Sequence, residues 1–256
     1  MSLLEDFAKQ RVLAVQEFSL LAAQAIQNLF RSPHYLTDIL FQMDFIGFGS
    51  LPIVLLTGFF TGAVLALQTS KTLSTFGETS LTGQVVALSL VRELGPVLTS
   101  LMVAGRNSSG IASELGSMVV SEQIDAMRAL GTDPSKKLVT PRLAATIIML
   151  PLLTIFSDFV GLLGGFMVSF FIVHLNPSQY WTQAYHSLDM HDVFQGLAKP
   201  FIFAFIVALV GCYYGLTTRG GTQGVGRATT QAVVTASVLI LTTDFFLTKI
   251  ILALEP

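Results

Sequence analysis

The chain has 256 residues, of which 52% are hydrophobic and only 12% charged, with a formal net charge of −2. Soluble domains average about 25% charged residues, so this composition excludes an ordinary soluble enzyme and leaves a chain whose solvent is a lipid bilayer. The near-neutral balance offers nothing for nucleic acid to bind.

The first element, within residues 1–33, is too polar to span. Phe18, Leu21, Ala22, Ala25, Ile26 and Leu29 recur at three- and four-residue spacing, Glu17, Gln24, Gln27 and Asn28 lie between them, and Pro33 stops the pattern. That spacing predicts an amphipathic helix lying in the membrane interface, or one packed on a soluble partner. Glu5, Asp6, Lys9, Arg11 and Glu17 interrupt any apolar leader segment, so insertion is expected through internal spans.

A span needs about 20 mainly apolar residues. Residues 34–256 hold five such stretches, near 46–69, 83–105, 143–173, 194–218 and 228–252. Pro52, Pro96, Pro151 and Pro200 fall inside them, and proline is tolerated in membrane helices. The expected fold is an all-α integral membrane protein: an N-terminal interfacial amphipathic helix, five transmembrane helices and a short cytoplasmic coupling helix. Lys9, Arg11, Arg31, Arg106, Arg128, Lys136, Lys137, Arg142, Arg219 and Arg227 gather on one side of these spans. The bias of Lys and Arg toward the cytoplasm places the N-terminus inside and, after five spans, the C-terminus outside. Tyr180, Trp181 and Tyr185 in the outer loop at 174–192 suit an interfacial aromatic belt. The single cysteine, Cys212, lies in an apolar run and reads as a small buried side chain.

Charges inside the spans are expensive and mark pathways or sites. Arg92 and Glu93 sit about ten residues, roughly 15 Å, into the second span. Neighbours on a helix point about 100° apart, so each needs a partner from another helix. Pro96 leaves the Arg92 carbonyl without its helical donor. Glu93, Lys199 and Asp244 are expected to converge on one outward-facing polar site, as a ligand-binding cluster or as ion pairs that clamp the helices. Asp158 has no partner at its depth and no role.

Between the second and third spans, GRNSSGIASELGSM is rich in small residues that allow close helix packing. In EQIDAMRALGTDP, Ser121 is expected to cap a short helix and Glu122 to suit its positive end. Ile124, Met127 and Leu130 make an apolar stripe, and Gly131 and Pro134 end it. Periodicity alone fits a solvated surface helix as well as a docking helix.

The run from Arg92-Glu93-Leu94-Gly95-Pro96 through GRNSSGIASELGSM to EQIDAMRALGTDP closely resembles the MlaE (YrbE-like) permease family. These are inner-membrane subunits of ABC transporters that move phospholipids between the membranes of Gram-negative bacteria and so maintain outer-membrane lipid asymmetry. The resemblance implies a homodimeric permease that is not itself an enzyme. ATP and Mg would be bound by a separate MlaF-like ATPase, docked on a coupling helix at about 122–131 through Glu122, Gln123, Ile124, Asp125, Met127, Arg128 and Leu130. A STAS-domain, MlaB-like protein would bind that ATPase, and a hexameric MCE-domain, MlaD-like protein would sit on the outer face. Arg92, Glu93, Lys199 and Asp244 match charged positions around the family's lipid cavity.

Rival readings have less support. Gly221 to Ala228, GTQGVGRA, lacks the Lys and the Ser or Thr of a phosphate loop, so no ATPase is expected in this chain. His186, Asp189, His191 and Asp192 match no metal-ligand spacing. An ion-coupled secondary transporter of an amphiphile would also use Glu93 and Asp244, but no inverted repeat is visible.

Overall fold

The computed structural model describes residues 2–32 and 35–254; Pro33, the expected stop of the first helix, lies outside them. Among the described residues every regular element is helical. In chain order these are α1 (Ser2–Leu29), α2 (Leu36–Ser74), α3 (Thr82–Ser89), α4 (Gly95–Val103), α5 (Ser109–Val120), α6 (Gln123–Ala129), α7 (Thr140–Phe171), α8 (Pro177–His186), α9 (Met190–Leu216) and α10 (Gly221–Leu254). Wide π-helical turns at Leu90–Leu94 and Ala104–Ser108 join α3, α4 and α5, and a third, Ser135–Val139, leads into α7. Among the described residues five rods are long and apolar enough to cross a membrane: Leu36–Ser74, Thr79–Val120, Ser135–Phe171, Met190–Leu216 and Gly221–Ala253.

The rods overrun the apolar stretches that announce them. The second continues to Val120, fifteen residues past the apolar window. Helical hydrogen bonds are satisfied locally, so a polar flank ends the lipid-facing stretch without ending the helix. Hydroxyls within the rods return to the backbone one turn earlier. Ser100 donates to the Pro96 carbonyl at 2.6 Å, Thr146 to Arg142 at 2.7 Å and Thr154 to Leu150 at 3.0 Å. Each polar group is thereby hydrogen-bonded without leaving its own helix.

The chain divides into two compact units, each drawing on several rods. The first takes residues 1–43, 104–146 and 205–237. Its core is Ile111, Ala112 and Leu115 of α5 with Val207, Ala208 and Cys212 of α9. Gly211 and Gly215 let α9 approach α5 so closely that a Cβ at either would press on Ser108, Ala112 or Leu115. The Ser108 hydroxyl donates across that contact to the Val207 carbonyl at 2.8 Å. On α1, Ala25 is fully buried and Phe18 packs edge-on against Tyr213, 5.8 Å between centroids. Ile26, expected on the same apolar face, is exposed.

The second unit takes residues 44–103, 147–204 and 238–256. Here α2 and α7 touch backbone to backbone: a Cβ on Gly62 would land on the Gly161 carbonyl, and one on Gly58 would meet Ser157. Without a hydrophobic drive between helices in lipid, such small-residue contacts supply the packing attraction.

The expected loop at 174–192 contains a helix, α8. Its start has local causes. The Asn176 side chain accepts from the Ser178 N–H at 3.0 Å, and Pro177 occupies the first helical position. Tyr180 is buried rather than interfacial, donating its hydroxyl to the Leu162 carbonyl at 3.1 Å. Tyr185 alone of the expected aromatic belt stands well exposed, at 78%.

Candidate functional site

Gly196 is where the charged cluster begins. A Cβ there would strike the Val91 carbonyl, so α9 lies directly on the π-helical turn Leu90–Leu94. Asp192, Gly196 and Lys199 stand at i, i+4 and i+7 and share that face. The wide turn carries Arg92 and Glu93. One extra residue in a turn re-aims the side chains that follow it, and such turns concentrate at functional sites.

Arg92 and Glu93 reach different residues of α9, about 10 Å apart along its axis. The Arg92 guanidinium pairs with Asp192, Nε to Oδ1 at 2.6 Å and Nη2 to Oδ1 at 2.5 Å. Asp192 is 1% exposed and its other oxygen accepts from the Asp189 N–H at 3.0 Å. It also lies in the first turn of α9, where the helix dipole favours an anion. Asp192 thus serves Arg92. Among the described residues no three His, Cys, Asp or Glu side chains are arranged to hold a metal ion.

Glu93 meets Lys199, whose ammonium is completely buried. It lies 2.6 Å from Glu93 Oε2, 2.9 Å from Thr248 Oγ1 and 3.1 Å from the Arg92 carbonyl. That carbonyl is the one Pro96 deprives of its helical donor. Three acceptors exhaust the three N–H bonds of an ammonium. Asp244 Oδ1, 3.2 Å away, is therefore held by charge alone and has no hydrogen-bond donor. Thr248 also donates to Glu93 Oε1 at 3.1 Å.

All four expected residues thus come together in one unit. Their exposure differs: Lys199 is sealed at 0%, while Arg92 and Glu93 show 37% and 38% of their side chains. Lys199 is the internal tie, and Arg92 is the cation of the cluster that keeps exposed surface. Sequence reasoning missed Asp192 and Thr248 as members. The signal was present: Asp192 stands seven residues before Lys199 and Thr248 four after Asp244, each pair on one helical face. In the same unit an apolar groove of about 480 Å³ is walled by Leu56, Phe60, Val64 and Leu65 of α2 and by Leu94, the residue after Glu93. Asp158 stays outside the network. Its Oδ1 is buried without a hydrogen-bond partner, against the face of Gly95.

The segment 122–131 forms the seven-residue helix α6, Gln123–Ala129. Ser121 does not cap it: its hydroxyl donates back to the Ser117 carbonyl at 2.8 Å, ending α5. Glu122, in the left-handed region at φ 60, makes the break between the two helices instead. Gly131, at φ 77, closes the C-terminal end. The apolar stripe divides by depth: Ile124 is buried, Met127 half-buried and Leu130 83% exposed. Asp125 and Arg128 pair with each other at 2.9 Å on the exposed face. The helix therefore roots in its own unit through Ile124 and presents Gln123, Asp125, Arg128 and Leu130 outward.

Residues 39–250 match the family described as Permease MlaE. A probable ABC transporter permease protein of Rickettsia felis is 46% identical over 237 residues, covering 93% of this chain and 92% of that one. A probable ABC transporter permease protein of Synechocystis is 44% identical over 206 residues, 80% of this chain and 78% of its own. The intermembrane phospholipid transport system permease protein MlaE of Haemophilus influenzae is 37% identical over 210 residues, 82% of this chain and 80% of its own.

Proposed function

The chain belongs to the MlaE permease family, and from that premise we propose that it is the membrane subunit through which a separate ATPase moves phospholipid between a bacterial inner and outer membrane, maintaining the lipid asymmetry of the outer one. The observation that carries this reading is the half-exposed Arg92 beside a Glu93–Lys199–Asp244 network tied by the sealed Lys199, in a unit that also holds an apolar groove. A phospholipid needs both halves of that arrangement. Acyl chains take the groove, and the phosphate takes the guanidinium, whose planar fork matches phosphate oxygens. Glu93, Lys199 and Asp244 form the polar wall and keep Arg92 on its wide turn.

The chain acts as a homodimer in the inner membrane, its N-terminus cytoplasmic and its C-terminus periplasmic. The α10 window is only 11% buried within one copy, which leaves apolar surface for a second copy or for lipid. The partner ATPase, with its ATP and Mg, grips Asp125 and Arg128 on α6 and Leu130 just past its end. STAS-domain and MCE-domain proteins complete the assembly on the cytoplasmic and periplasmic sides. ATP-driven closure pushes α6 and narrows the cavity around the lipid.

The test is lipid transfer between vesicles by the chain reconstituted with its ATPase. Asp125→Ala with Arg128→Ala should keep the dimer and its ATP hydrolysis while lipid transfer falls at least about tenfold, the loss of roughly 1.4 kcal/mol of coupling. Normal transfer by this variant rejects the docking role of α6. Transfer by the chain alone under an ion gradient, without ATP, rejects the permease reading in favour of an ion-coupled transporter.

A further inference from the structure

A second charged pocket lies in the other unit, where α2 and α7 begin. It has a volume of about 190 Å³ and is lined by Asp38, Phe41 and Gln42 of α2, Glu114 of α5, and Lys137 and Arg142 at the start of α7. That is below the roughly 300–1,000 Å³ of pockets that engulf a drug-sized ligand, and suits a headgroup better than a whole amphiphile. Arg142 is 3% exposed. Its Nη2 pairs with Glu114 at 2.7 Å and its Nη1 donates to the Leu138 carbonyl at 2.7 Å, while its Nε, equally buried, has no acceptor. A buried donor on a guanidinium is costly to leave unmade. Lys137 pairs with Asp38 and lies 4.2 Å above the Tyr35 ring. Two cations thus alternate with two anions around one small space.

Its depth points to the ligand. Asp44 is the last charge before the uncharged run 45–70, and Arg142 the last before 143–157. The pocket therefore sits just outside the hydrocarbon, in the headgroup layer. Beside it, Leu36, Leu40 and Phe41 are 66%, 65% and 67% exposed, an apolar rim that suits the interface between headgroups and hydrocarbon rather than open water. We propose that this pocket seats the zwitterionic, phosphate-bearing headgroup of a bilayer phospholipid, held as a fixed part of the protein and separate from any lipid bound at the Arg92 cluster. The phosphate meets Lys137 and the guanidinium of Arg142, both of which line the pocket. The ammonium meets Glu114, half of whose side chain faces solvent, and Asp38. A pocket of balanced charge disfavours a headgroup with net negative charge, because Asp38 and Glu114 oppose it.

The full-length chain, delipidated in detergent in the assembly it purifies with, is titrated with phosphatidylethanolamine, phosphatidylglycerol and the chain-free glycerophosphoethanolamine. Native mass spectrometry counts what remains bound, and Arg92→Gln identifies any lipid held at the other cluster. One phosphatidylethanolamine per chain is expected, favoured about tenfold over phosphatidylglycerol. Arg142→Gln should weaken it at least about tenfold. Glu114→Gln should erase the preference for the zwitterion. Should Arg142→Gln fail to fold, the half-exposed Lys137→Gln and Glu114→Gln decide. Unchanged retention in both overturns the site, as does equal binding of the chain-free headgroup, which marks a free-phosphate site, or a preference for phosphatidylglycerol.

Discussion

Replacing Lys199 by methionine tests the central network most directly. Methionine is of similar length and apolar, so the packing change is small, below about 1.5 kcal/mol. The electrostatic change is large. The ammonium donates to Glu93, Thr248 and the Arg92 carbonyl and neutralises Asp244. Its loss leaves two carboxylates without a counter-charge and a carbonyl that Pro96 has already deprived of its donor. Removing one partner of a buried ion pair costs about 3–5 kcal/mol. Glu93 keeps 38% of its side chain exposed and retains its bond from Thr248, so water recovers part of that cost. We expect about 3 kcal/mol, near the lower end. At roughly 2–4 °C per kcal/mol for a chain of this size, the unfolding midpoint in detergent, followed by fluorescence of Trp181, should fall by roughly 6–12 °C. Adding Glu93→Gln and Asp244→Asn removes the stranded charges and should return at least about half of the loss. A Lys199→Met midpoint within about 2 °C of wild type, or no recovery in the triple variant, refutes the network as described.

Asp192→Asn should free the Arg92 guanidinium and cost about 1–3 kcal/mol, read by thermal unfolding, and should raise the amount of copurified phospholipid if Arg92 receives the phosphate. Gly62→Ala should destabilise by about 1–3 kcal/mol, because its Cβ meets the Gly161 backbone carbonyl. Gly226→Ala, in α10 with nothing within 4 Å of its Cβ, should instead stabilise by up to about 1 kcal/mol; the same unfolding assay separates the two signs. Burial pushes the Tyr180 phenol well above its ordinary range. At pH 11, where an ordinary tyrosine is about 90% ionised, the difference spectrum between wild type and Tyr180→Phe should show no tyrosinate band. The sign follows: the folded state holds that proton more tightly, so this residue's contribution to stability falls as pH rises past about 10.

The division between sequence and structure is clearest at the charged cluster. That Arg92 and Glu93 would need partners on other helices follows from their 100° separation and their depth. That Lys199 and Asp244 join Glu93 follows from the scarcity of charges in the spans. Which charge meets which does not follow. It depends on α9 resting on the Val91 carbonyl at Gly196 and on the wide turn at Leu90–Leu94. Neither a one-residue change in helical register nor a close backbone approach leaves a mark in hydropathy. The cap of α6 failed for a similar reason: the Ser121 hydroxyl donates back to the Ser117 carbonyl and closes α5, and the chain turns at Glu122 instead.

The amino-acid sequence alone determined that this chain crosses a membrane several times, because the cost of exposing the backbone to hydrocarbon forces every long apolar run into a helix. It also determined where charge would have to be sheltered. Only the tertiary structure decided that Lys199 is sealed while Arg92 stays open, and that Asp192 and Thr248 complete their shells. Helix formation is a local matter settled by neighbours in the chain, whereas pairing between distant side chains depends on which faces small residues allow to touch.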